Sequence, residues 1–262
     1  MVLLHGLGAS LEWWEEAAED LAVHYRVVVP DLPGHGLSDE PKDEYSLPAA
    51  RETLGGLLDS LGIRRALIAG NSMGGLVALS FALHHPERVG SLVLVANAGF
   101  GRPLGPALPL ATLPGVGETA LRFARYEWIA RIAFGRILYD SRRLPAGWLS
   151  RVVRLCRRAT YPKAFLACLR HGVDTGGLKR HILTDIARNV GRLTAPVLIL
   201  WGRDDTVIPV AHAEWGGRLI SHAKLVVLAG CGHAPQLELP HETAAVIHSF
   251  TTHSHASRSA PS

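Results

Sequence analysis

Short, uninterrupted apolar runs recur at both ends of this chain, and helix-like segments separate them. "MVLLHG" (1–6), "YRVVVPD" (25–31), "RALIAGN" (65–71), "SLVLVAN" (91–97), "PVLILWG" (196–202) and "KLVVLAG" (224–230) each read as a strand without polar alternation. A strand that is apolar on both faces must be covered on both, which points to a mostly parallel sheet between two helix layers. The intervening segments supply the helices. Ser10 is placed to cap a helix over 11–22, and Ser46 to cap one reaching Leu61, with Gly62 as its stop signal. A helix over 73–85 ends at Pro86, and two more are read over 210–220 and 242–252.

Between 99 and 193 the strand signal vanishes. "GRPLGPALPLATLPGVG" opens the segment as a Pro/Gly-rich hinge, and helix-like stretches follow around 118–139 and 148–169. The expected organisation is an α/β core from 1–98 and 194–252, a helical cap inserted at 99–193, and a disordered polar tail at 253–262. A chain of 262 residues, 48% hydrophobic and 19% charged, can bury a core of that size and does not have the composition of a disordered one. No apolar run approaches the roughly 18 residues needed to cross a bilayer, and the N-terminus lacks a signal peptide's basic region. Cys156, Cys168 and Cys231 are odd in number and lack C-x-x-C spacing, so neither a disulfide framework nor a zinc site is suggested and a cytoplasmic location is expected.

The net charge of +4 conceals an uneven distribution. Residues 102–192 hold 17 Lys and Arg against 5 Asp and Glu, and 15 of those cations are arginine. The plain reading is a solvated helical face; the sharper ones are an anionic substrate or contact with an acidic surface. Nucleic acid is not expected, because no basic stretch is interleaved with stacking aromatics in a known module.

The segment "LIAGNSMGGLV" (67–77) carries the chemistry. Ser72 lies where a strand turns directly into a helix, a geometry that strains the apex residue and demands side-chain-free neighbours, here Gly70 and Gly74. Its hydroxyl would stand at a helix N-terminus, where N–H groups and the helix dipole favour developing negative charge. The alternative is an ordinary glycine-rich turn whose serine only caps the helix. Three other segments end apolar strands at the same carboxyl edge, where open α/β sheets place their ligands. They are "LLHGLGAS" with its His5-Gly6-Leu7-Gly8 loop, "ILWGRDDTVIP" with Asp204-Asp205, and "LAGCGHAPQLELP" with His233.

With "HGLG", "DLPGHGLSD", "GNSMGG", "WGRDDTVIP" and "GCGHAP" in this order, the sequence resembles the α/β-hydrolase superfamily from Met1 to about Phe250. The resemblance implies an α/β-hydrolase fold, Ser72 as nucleophile, His233 as general base and Asp205 as the orienting acid, with Asp204 the alternative. It also implies an oxyanion hole from the backbone N–H groups of Leu7 and Met73. Serine at the apex argues against the dehalogenase and epoxide-hydrolase branches, which use aspartate. Relatives carry one or two strands before the "HG" strand, whereas here Met1 begins it. Either the fold tolerates the missing edge, or the chain is truncated relative to its relatives; truncation would leave a sheet edge or apolar face exposed, lowering stability or promoting association. Oligomeric state is otherwise open.

A serine triad under a helical cap most often hydrolyses carboxylic esters through an acyl-enzyme, and a carboxylesterase acting on a small-molecule ester is the first expectation. Leu104, Leu108, Leu110 and Leu113 of the hinge are candidates either for the acyl pocket or for packing against the core, and Trp13 and Trp14 for either role. The alternative is a C–C bond hydrolase of the meta-cleavage-product type, which commonly has asparagine before the serine, as Asn71 stands here. Its anionic dienoate would suit a basic cap, with Arg151 or Arg154 as a carboxylate clamp. Such enzymes usually carry tryptophan after the triad histidine, where this chain has Ala234. A hydrolase-fold ligand receptor is a third, lesser expectation. His35 reads as part of a glycine-pinned turn, and Cys231 as a small buried residue that could confer thiol sensitivity. His84, His85, His253 and His255 lack metal-ligand spacing, and no cofactor, metal or stable membrane insertion is expected.

Overall fold

The structure, a computed structural model, describes residues 1–41 and 44–259, with side chains described as far as His253. The chain runs β1 (Val2–Leu4), α1 (Glu15–Ala22), α2 (Leu47–Ser60), β2 (Ala66–Asn71), α3 (Met73–His84) and β3 (Val89–Val95). The insertion follows, with α4 (Ala107–Ala111), α5 (Val116–Ala124), α6 (Glu127–Ile137), α7 (Trp148–Cys156) and α8 (Thr160–Gly172). A two-stranded hairpin, β4 (Val173–Asp174) and β5 (Gly177–Leu178), and α9 (Arg180–Asn189) complete it. The core then resumes with β6 (Val197–Gly202), α10 (Ala211–Leu219), β7 (Lys224–Leu228), α11 (Pro235–Glu238) and α12 (Pro240–Ser259).

Five strands form one sheet in the order β1-β2-β3-β6-β7, every pair parallel. Successive strand residues face opposite layers, as a period of two requires. Ile68, Leu92, Leu94, Ile199 and Trp201 pack with α2, α3, α9 and α10 on one face. Leu3, Ala69, Val93, Leu198 and Leu200 pack with Trp14 and Leu21 beside α1 and with Ala244, Ile247 and Phe250 of α12 on the other. A third cluster joins the insertion to the core's carboxyl rim, with Trp148, Val152 and Ala130 against Trp13, Ala234 and Leu237.

Four local expectations are corrected. The segment 25–31 is not a strand. It meets β1 through a single parallel bridge, Val2 to Val28, with Leu3 N–H donating to Val28 and Val28 N–H to Met1, both at 2.9 Å. β1 offers only three residues to pair with, and a segment paired on one side alone cannot extend a ladder beyond its partner. Ser10 does not cap a long helix: its hydroxyl goes to the Glu12 carboxylate, a 3-10 turn covers Leu11–Trp13, and α1 starts at Glu15. By contrast, Ser46 Oγ accepts the Ala49 N–H at 3.2 Å, the cap read from sequence. The insertion is not strand-free, since β4 and β5 form its small hairpin. Finally, α12 continues to Ser259 through most of the expected disordered tail; residues 260–262 lie outside the described residues. Extending an existing helix needs no new nucleus, so a polar segment without apolar periodicity can be carried along.

Candidate active site

Ser72 joins β2 directly to α3 with φ 56° and ψ −116°. A non-glycine residue in that region stores of order 1–3 kcal/mol of strain, so the surroundings must hold it there. They do so through the backbone: Ser72 N–H donates to Val95 at 2.9 Å, and the Ser72 carbonyl accepts from Leu76 and Ala98, both at 3.1 Å. The flanking glycines are obligatory. A Cβ on Gly74 would stand 2.5 Å from the Leu4 carbonyl oxygen, and one on Gly70 would stand 2.6 Å from the Gly75 nitrogen. β2 and α3 can meet at this angle only because both positions are bare.

His233 stands on the loop after β7. Its Nδ1–H donates to Asp205 Oδ2 at 2.8 Å, while the other Asp205 oxygen accepts the N–H groups of Val207 (2.8 Å) and Ile208 (2.9 Å). The carboxylate is fully buried with all these partners in place. Asp204 is exposed, so Asp205 is the acid that meets the histidine. Ser72 and His233 line one cavity of about 600 Å³. They make no hydrogen bond to each other, and such contacts are often long in unliganded sites. Fixing Nδ1–H on Asp205 leaves Nε2 free to take a proton from a hydroxyl in the same cavity.

The loop after β1 borders this cavity through Gly6, Leu7 and Gly8. Neither the Leu7 nor the Met73 N–H has an acceptor among the described residues, which leaves two donors beside Ser72. The loop is held from behind by His5, which is fully buried. Its Nδ1–H donates to the Gly6 carbonyl at 2.8 Å, and its Nε2 accepts the Leu32 N–H at 2.9 Å. Burial lowers the His5 pKa to about 3, so the ring is neutral. Asp31 ties the same loop to the glycine-pinned turn, accepting from Leu11 at 2.8 Å and Leu37 at 2.9 Å. His35 is buried in that turn and donates to the Pro33 carbonyl, as a structural residue would.

Of the other residues singled out in the sequence, Trp13 lines the cavity, whereas Trp14 is core, its indole N–H on the Leu4 carbonyl. Asn71 borders the cavity but is buried, and its amide donates to the His233 carbonyl at 3.1 Å, which braces the histidine loop. Leu108 lines the cavity; Leu104 packs on the core, and Leu110 and Leu113 are exposed. Arg151 is a correction. It does not line the cavity and pairs with Glu15 at 2.6 Å, because α7 packs through Trp148 on Trp13 and the turn just before α1, which sets Arg151 beside Glu15. Arg154 is exposed elsewhere on α7. Cys231 is fully buried, and burial pushes its thiol pKa up, so it is not poised as a thiolate.

The α/β-hydrolase-fold family model matches residues 1–240. The chain belongs to the α/β-hydrolase family. An uncharacterised Mycobacterium tuberculosis protein is 33% identical over 245 residues, covering 90% of this chain and 70% of that one. The 2-hydroxy-6-oxo-6-phenylhexa-2,4-dienoate hydrolase of Comamonas testosteroni is 30% identical over 249 residues, covering 91% and 82%. Among solved structures, a bacterial membrane phospholipase A superposes with a TM-score of 0.79 at 28% identity, covering 99% of this chain and 79% of the other.

Two residues of this α/β hydrolase escaped the sequence reading. Arg136 of α6 is the cationic side chain that lines the cavity among the described residues. Glu238, buried behind the histidine loop, accepts the N–H groups of Gly232 (2.9 Å), Ala234 (3.4 Å) and Tyr139 (2.6 Å). Burial raises its pKa above the usual carboxylate range. It therefore clamps the His233 loop to the segment after α6, whose Ile137 carbonyl also accepts the His233 N–H at 2.9 Å. The signal for Glu238 was present: a lone acid among apolar residues in "PQLELP" suggests a buried, satisfied carboxylate. Arg136 had no such mark among 15 arginines of the insertion.

Proposed function

We propose that this hydrolase cleaves carboxylic esters through an acyl-enzyme on Ser72. The observation that carries the reading is the Ser72 corner opening onto the cavity in which Asp205-tethered His233 stands. In the proposed cycle Ser72 Oγ attacks the acyl carbon as His233 Nε2 takes its proton. The oxyanion meets the N–H groups of Leu7 and Met73, the alcohol leaves with the proton from His233, and water then attacks the acyl-enzyme by the same route. Trp13, Leu108, Phe134 and Phe165 give the cavity an apolar lining that suits an acyl chain. The phospholipase A neighbour supports ester chemistry on this scaffold.

A second reading, C–C hydrolysis of an anionic dienoate, is favoured by Arg136 in the cavity and by the dienoate hydrolase at 30% identity. A series of p-nitrophenyl esters of rising chain length, run beside a dienoate C–C substrate, separates the two. With Ser72→Ala, kcat on the preferred substrate is expected to fall at least about a thousandfold. Turnover of the dienoate alone would replace the ester reading, and full activity of Ser72→Ala would end both.

A further inference from the structure

The ester reading leaves the basic, aromatic surface of the insertion without a role. α5 and α6 form a hairpin whose outer side exposes Val116, Phe123, Tyr126, Trp128 (64% exposed) and Ile132 (54% exposed). The rings of Phe123 and Tyr126 lie 6.4 Å apart across the turn between the helices, and Trp128 and Ile132 are one helical turn apart on α6. Large side chains grouped in this way on a soluble face mark a contact surface.

The charges on the hairpin indicate what it contacts. Residues 116–137 carry four arginines, Arg122, Arg125, Arg131 and Arg136, against two glutamates. Both glutamates are engaged, Glu118 with Arg170 at 2.8 Å and Glu127 with Arg131 at 3.3 Å. Arg122 and Arg136 have no carboxylate partner among the described residues, and Arg125 lies over the Tyr126 ring at 5.7 Å. A two-fold contact with a second copy would set arginine against arginine, in an insertion with only 5 acids from 102 to 192. Aromatic and aliphatic side chains interleaved with unpaired arginines instead match an anionic lipid surface: the apolar groups enter the headgroup layer, and the guanidinium groups meet phosphates. The same helices border the active-site cavity through Leu121, Ala124, Ala133 and Arg136, and Ala133 and Arg136 are exposed at its mouth.

We propose that the α5–α6 face docks this protein on an anionic bilayer surface, with Phe123, Tyr126, Trp128 and Ile132 inserted and Arg122 and Arg125 on lipid phosphates. The docking is peripheral, since no helix among the described residues is long and apolar enough to cross a membrane. It does not depend on which bond Ser72 attacks. The test is co-sedimentation of the full chain with vesicles of phosphatidylcholine alone and of phosphatidylcholine mixed equally with phosphatidylglycerol, at low and high salt. Binding is expected to the mixed vesicles and to weaken with salt. It should fall at least about tenfold in Trp128→Ala/Ile132→Ala and in Arg122→Glu/Arg125→Glu. These exposed positions should leave thermal unfolding unchanged, which is checked in parallel. No binding by the wild type, equal binding to neutral vesicles, or wild-type binding by either double variant would overturn the proposal. So would a dimer that loses its partner in these variants without ever binding vesicles, because the face would then belong to a second copy.

Discussion

Gly74 and Gly135 occupy helices of the same molecule, yet an added methyl group meets opposite fates at the two. At Gly74, on the first turn of α3, it would strike the carbonyls of the β1 edge; at Gly135, on α6, it would meet nothing within 4 Å. The elbow is specified by backbone packed against backbone, where no side chain can yield. The insertion is specified by side chains such as Trp148 and Val152 filling a cluster, with an outer face left to solvent. The Ser72 hydroxyl stands in the first kind of region, and the second borders the cavity onto which it opens.

Four experiments break or sharpen that contrast. The largest effect belongs to the buried acid. Asp205→Asn is expected to lose about ten-thousandfold in kcat, by presenting His233 with the wrong hydrogen-bond partner. Asp204→Asn should stay near wild type in the same assay, and the reverse order would put the wrong carboxylate at the centre of the site. Next is the glycine pair. Gly74→Ala should cost several kcal/mol or prevent folding, through collision at the Leu4 and His5 carbonyls. Gly135→Ala should stabilise α6 by about 0.5–1 kcal/mol, read as denaturation midpoints. A tolerated Gly74→Ala would show that the elbow has more slack than its geometry allows.

The third effect is a pH dependence of folding. His5 has a pKa lowered by burial to about 3, so the folded state resists its protonation and the unfolded state does not. Its contribution to stability is complete above the unfolded value of 6.5 and is lost as pH falls from there toward 3. A protonated Nε2 would also face the Leu32 N–H, donor against donor. His5→Gln keeps an acceptor near that N–H and should flatten urea-unfolding free energies over this window; an unchanged slope would place the titration elsewhere. The smallest effect is at Arg151. Its pair with Glu15 is partly exposed, so Arg151→Ala should cost no more than about 1 kcal/mol and leave KM for either substrate class unaltered. A large rise in KM would return this side chain to the cavity.

The contrast also explains which parts could be read from the chain. Doubly apolar runs dictated parallel strands, and the need for bare positions around Ser72 followed from its strand-to-helix turn, because both patterns lie within a few residues. That Gly74 must stay bare against the Leu4 and His5 carbonyls came only with the fold. The helices of the insertion were visible as helices. Which of their arginines bordered the cavity was not, since on α6 and α7 arginines alternate around surfaces whose orientation depends on distant partners. Arg151 follows α7 toward Glu15 of α1, while Arg136 stands exposed at the mouth of the cavity. The reduction of 25–31 to one bridge had the same origin, since its apolar run states a propensity and its neighbour limits the pairing.

The sequence alone determined the layered α/β core, the serine corner with its bare neighbours and the order in which serine, acid and histidine leave the sheet, because apolar runs and glycine spacing are patterns contained within a few residues. Tertiary structure alone decided that Glu238 clamps the histidine loop, that Arg151 pairs with Glu15, and which cation borders the cavity. Those outcomes depend on segments dozens of residues apart coming within hydrogen-bonding distance, and hydrogen bonds have no reach along the chain until the chain has folded.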